Sequence, residues 1–134
     1  MAGPFDAIQN IIDVDHIQRS VRLMVVGGGR FGWWFILMAL AHGVRWVRLI
    51  EPDWTERRNY ASGFPESAVG TPKIAYVREE LARRSSRISF EGAAVHLSAR
   101  NRSVFEEWLH QCTHLALFID SFDVATDLAR AAYG

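Results

Sequence analysis

The chain has 134 residues, 49% of them apolar, and 15 basic side chains balance 15 acidic ones. That length gives one domain with a real core, and the balanced charge excludes the basic excess through which proteins grip nucleic acid. The single cysteine, Cys112, excludes an internal disulfide and a cysteine-rich zinc site.

The first 20 residues read as an N-terminal arm or short helix, with Ile8, Ile11 and Ile12 at helical spacing. The opening "MAGPFDAIQN" lacks a basic stretch followed by an apolar one; a cytoplasmic protein is expected. The domain proper is expected over residues 21–134. Arg22–Val26 is a short apolar strand stopped by glycines, Phe31–His42 a helix ended by Gly43, and Trp46–Glu51 a second strand broken by Pro52. The apolar run Phe31–Ala41 is about half of the ~20 residues that span a membrane, so no membrane partner is expected. Trp33, Trp34 and Phe35 are expected in the core and at a subunit contact, because partly exposed members would form an apolar patch.

Gly27, Gly29 and Gly32 stand at G-x-G-x-x-G spacing between the first strand and the first helix, and Glu51 ends the second strand. Together they form a dinucleotide-binding pattern. Glycines let the backbone approach phosphate oxygens, and the helix N-terminus presents N–H groups and partial positive charge to them. Glu51 can accept hydrogen bonds from a ribose.

Residues 53–70 are a polar loop, long enough to suggest function. Thr71 is expected as N-cap of a helix with Pro72 at its first position, running to about Arg84 with Ile74, Val77 and Leu81 on one face. Arg87–Ala94 is strand three. Asn101 or Ser103 is expected to cap a short helix through Val104, Phe105, Trp108 and Leu109. Leu115–Ile119 is strand four, and Val124–Ala132 the last helix. Alternating strands and helices predict an α/β, Rossmann-like fold, a mainly parallel sheet of about four strands in the order 3-2-1-4.

Three further features carry a resemblance: "LIEPD" at the end of strand two with Asn59 six residues beyond Asp53, "VGTPK" at residues 69–73, and "FIDSFD" with Asp120 and Asp123 after strand four. This order resembles the ThiF/MoeB/E1-like adenylating enzymes, which activate the C-terminal carboxylate of a ubiquitin-like protein or peptide. The resemblance covers residues 21–130 and implies an ATP and Mg2+ site. Glu51 would hold the ribose, with Asp53 and Asn59 lining the nucleotide site. Lys73 would contact the phosphates and Asp123 would bind magnesium, the two catalytic groups. It also implies a small ubiquitin-like or peptide substrate, and a homo-oligomer or partner subunit. The chain departs from the family pattern at Arg30, inside the glycine motif, and at Ser62, where an arginine is usual. It also lacks the family's second half, so a partial E1-like domain is expected. Two alternatives stay open: a non-catalytic E1-like scaffold or dimerisation subunit, and an NAD(P)-binding oxidoreductase domain.

Overall fold

The computed structural model describes residues 13–27, 29–56, 64–119 and 121–133. Ile8, Ile11, Ile12, Asn59, Ser62 and Asp120, and the side chain of Arg30, lie outside what it describes. The elements in chain order are α1 (Val14–Ser20), β1 (Arg22–Val26), α2 (Gly29–Ala41), β2 (Trp46–Ile50), α3 (Lys73–Arg84), β3 (Ser89–Ala93), α4 (Glu106–Gln111), β4 (His114–Leu117) and α5 (Phe122–Tyr133).

The four strands form one sheet in the order β3-β2-β1-β4, every pair parallel, as the sequence predicts. Leu23 and Val25 of β1 pack with Val47 and Leu49 of β2 against α2 and α3, through Trp33, Ile36, Ile74, Val77 and Leu81. Met24, Val26 and Ile50 face the other way, against Phe105, Leu109 and Leu128 of the α4 and α5 side. Both faces are covered, so after their first residues β1 and β2 are buried without alternation, Arg48 among the apolar side chains. The winding explains the layers. Outward steps from β1 to β2 to β3 put α2 and α3 on one face. The return from β3 past β1 to β4 puts α4 on the other.

Part of the N-terminal segment is folded onto this domain. Asp13 caps α1 by accepting from the His16 amide at 2.9 Å, and Val14 is buried. Trp33 is core, Phe35 is half-buried with its ring 5.7 Å from that of Phe118, and Phe31, Trp34 and Met38 form an exposed row along α2.

Two expected caps are corrected. The Thr71 hydroxyl does not cap α3 but donates to the Ala68 carbonyl at 2.6 Å; Pro72 holds the cap position. The Thr71 carbonyl is taken by the Thr55 amide at 2.8 Å, which fixes that residue in a turn. Asn101 does not cap the next helix, which opens as a 3-10 turn over Arg102–Phe105. Its side chain instead accepts from the Ser98 amide and donates to the His96 carbonyl, pinning the loop after β3.

Candidate nucleotide site at the strand ends

The C-terminal ends of the strands meet where the strand order reverses, the usual place for a ligand in such sheets. Three hydrogen bonds continue the ladders to that edge: Gly27 amide to Ile50 carbonyl at 2.7 Å, Glu51 amide to Ala93 carbonyl at 3.0 Å, and Phe118 amide to Val26 carbonyl at 2.8 Å. Above them opens a cleft of about 410 Å³. Its walls are Gly27 and Gly29 after β1, Glu51 and Asp53 after β2, Val95, His96 and Leu97 after β3, and Phe118, Ile119, Ser121 and Val124 after β4.

The glycines are required by the geometry. Gly27 has φ +78°, and a Cβ there would lie 2.4 Å from the Phe118 carbonyl oxygen. A Cβ on Gly32 would lie 2.9 Å from the Gly27 carbonyl oxygen, so that position lets α2 start tight against the turn. Gly29, at φ +54°, begins α2 and faces the cleft. The turn therefore delivers a helix N-terminus to the cleft, with its partial positive charge.

Glu51 is buried at 3% exposure, and its carboxyl is pushed above the ordinary carboxylate range. Burial is the main cause and the Asp53 charge adds to it, while Lys73 opposes. Its Oε1 accepts from the Asp53 amide at 3.3 Å. Lys73 is buried too, at 6% exposure, with Nζ 3.8 Å from Asp53 Oδ2 and 5.5 Å from the Phe64 ring centre. A Cβ on Gly29 would lie 3.9 Å from that Nζ, so the ammonium sits directly behind the glycine turn. Lys73 is also the only lysine among 15 basic residues; the other fourteen are arginines. Counting would have singled it out from sequence, whereas its burial depends on the tertiary fold.

The structure thus brings Gly27, Gly29, Glu51, Asp53 and Lys73 together. Asp123 lies apart from the cleft wall, exposed on the first turn of α5 between the lining residues Ser121 and Val124. The α5 cap is Ser121, whose Oγ accepts from the Val124 amide at 3.3 Å, so Asp123 is not spent as a cap. Asn59 is outside the described residues. Among the described residues no three His, Cys, Asp or Glu side chains gather to hold a metal. Magnesium is commonly held by one or two carboxylates with substrate phosphates completing the shell; Asp123 is an exposed carboxylate next to the lining residues Ser121 and Val124. The cleft walls after β3 and β4 escaped the sequence reading. Val95, Leu97 and Ile119 are ordinary apolar residues, marked only by their place at strand ends. No helix among the described residues is long and apolar enough to cross a membrane.

Solved structures share this fold. The chain superimposes on PaaA with a TM-score of 0.75 at 18% identity, covering 89% of this chain and 36% of that one. E. coli MccB with MccA-N7isoASN gives 0.67 at 21%, covering 87% and 34%. E. coli MccB with ATP gives 0.61 at 20%, covering 72% and 34%. The chain spans about a third of the length of these neighbours. No curated protein sequence matches it. The family model described as "ThiF family" matches residues 8–134, nearly the whole sequence, and the chain belongs to the ThiF family.

Proposed function

We propose that this chain is the ATP-binding part of an E1-like adenylating enzyme acting on the C-terminal carboxylate of a peptide or small ubiquitin-like protein. The observation that carries the reading is a buried ammonium, Lys73, held behind the glycine turn that lines the cleft. A buried cation at a helix N-terminus opposes the helix dipole, and an anionic ligand resolves that opposition. The E. coli MccB neighbours carry ATP in one structure and MccA-N7isoASN in another, which supports a nucleotide and a second substrate beside it.

In this reading Glu51 accepts hydrogen bonds from the ribose, and the Gly27–Gly32 turn with the α2 N-terminus holds the phosphates. The base rests against Val95, Leu97 and Ile119. The substrate carboxylate oxygen attacks the α-phosphorus, and the bond from that phosphorus to the bridging oxygen breaks. The products are an acyl-adenylate and pyrophosphate. Negative charge gathers on the phosphate oxygens during that step, and Lys73 stands where it offsets it. Magnesium held with Asp123 supplies further charge neutralisation when bound. Family membership favours this over a nicotinamide-binding role. The exposed row Phe31, Trp34 and Met38 on α2 supports a subunit contact, with a second copy as the partner.

Calorimetric titration with ATP, with and without Mg2+ and with NAD as control, tests the reading. The expected result is Mg2+-dependent ATP binding that Lys73→Ala weakens about tenfold, ~1.4 kcal/mol. An absence of ATP binding, or a preference for NAD without magnesium, would overturn it.

A further inference from the structure

The residue between the ribose carboxylate and the phosphate lysine has three bonds that join them. The Asp53 amide donates to Glu51 Oε1 at 3.3 Å. The Asp53 carbonyl accepts from the Lys73 amide at 3.0 Å. The Asp53 carboxylate lies 3.8 Å from Lys73 Nζ. A short antiparallel clamp backs this contact: Thr55 amide to Thr71 carbonyl at 2.8 Å, Gly70 amide to Thr55 carbonyl at 2.9 Å, and a bridge between Trp54 and Pro72.

We propose that Asp53 is a positioning residue that acts through Lys73, locking the phosphate end of the cleft to the ribose end without itself touching nucleotide. This rests on the nucleotide reading above. The Lys73 side chain is 7% exposed and that of Asp53 61% exposed. The ammonium is therefore fixed inside the protein, while its counter-charge stands on the rim in water. A carboxylate facing phosphate oxygens would repel them, whereas this one lies 3.8 Å from the ammonium. Glu51, buried beside the same pair, faces Asp53 and Lys73. The main-chain bonds set where α3 begins, and the side-chain pair sets where Nζ points.

The test has two arms, and the first needs no nucleotide. Lys73 is the only lysine, so an amine-acetylating ester read by peptide mass spectrometry reports on that side chain alone, apart from the N-terminus. Asp53→Asn keeps the size and both main-chain bonds and removes the charge. It should raise the Lys73 labelling rate about threefold or more, the scale of a lost partly exposed pair, and Asp53→Glu should restore slow labelling. An unchanged rate, or no rescue by glutamate, overturns the proposal.

In the second arm ATP and adenosine are titrated into Asp53→Asn, Lys73→Ala and the double variant. Asp53→Asn should weaken ATP about threefold, and the double variant should be no weaker than Lys73→Ala alone. Adenosine affinity should be the same throughout. Additive losses on ATP, or an equal loss for adenosine, would make Asp53 a direct ligand and overturn the proposal. Failure of the unaltered protein to bind ATP would sink the nucleotide reading, and the labelling arm would still decide the link between Asp53 and Lys73.

Discussion

Two buried cations, one within β2 and one beyond its C-terminal end, are held in different ways. Arg48, in the middle of the strand, is 7% exposed; its Nη1 donates to the Val47 and Ser89 carbonyls at 3.1 and 3.0 Å. Its guanidinium lies 4.0 Å from the Trp46 ring centre, and its Nε is 3.5 Å from Glu91, which also accepts from the Trp108 indole. Lys73, beyond the C-terminal end, has the rim carboxylate of Asp53 and the Phe64 ring beside it, and a glycine turn before it. Both pairs match a buried cation with an exposed carboxylate, 8% against 59% and 7% against 61%. What separates them is the chemistry of the remaining donors. A planar guanidinium spends them on fixed carbonyls and a stacked ring, as a structural brace does. A compact ammonium keeps donors in reserve behind the glycine turn that lines the cleft.

The largest expected effect comes from filling the tight turn after β1. Gly27→Ala puts a methyl group 2.4 Å from the Phe118 carbonyl oxygen in a left-handed backbone. It should cost about 3 kcal/mol or more, seen as a collapse of the thermal melt; a wild-type melt would mean the turn is slack. Arg48→Ala should come next, destabilising by about 2 kcal/mol through lost stacking and orphaned carbonyls while leaving ATP affinity unchanged. If it weakened ATP instead, the two cations would not divide the labour as described.

Lys73→Met should show the reverse pattern. The apolar stem keeps its packing on Phe64 and a buried charge disappears, so the melt should not fall, while ATP affinity drops about tenfold. A large loss of stability would make Lys73 a brace as well. The smallest effect is a pH dependence. The Glu51 carboxyl titrates above its ordinary value of 4.5 in the folded protein. The folded state therefore binds that proton more tightly than the unfolded chain, and stability is lost as pH rises through the folded value. Glu51→Gln removes this loss. It should melt higher than the wild type at neutral pH, with the gap closing as pH falls toward 4.5 and below; a gap constant from pH 4 to 8 would contradict the assignment.

Strand order and the glycine turn are legible because each has a local signature, whereas the roles of Asp53 and Lys73 come only from the family resemblance. Apolar runs, glycine spacing and alternation of elements need no tertiary knowledge. The expected caps at Thr71 and Asn101 fail for one shared reason: each side chain bonds back to a preceding turn, at Ala68 or at His96 and Ser98, which competes with a cap on the following helix. The apolar wall after β3 depends instead on the tertiary fold, as does the partnership of Asp53 with Lys73, which depends on the Thr55–Thr71 clamp.

The cleft is built from four chain segments that lie far apart, after β1, β2, β3 and β4. No local stretch of the chain contains half a site. A folding intermediate with one strand undocked has lost a wall, so binding competence should arise late and in a single step, together with the parallel pairings that are slow to form. The coupling runs in both directions. A ligand that touches all four walls binds only the completed sheet, and at 100 times its dissociation constant it would hold the domain folded by about 2.7 kcal/mol.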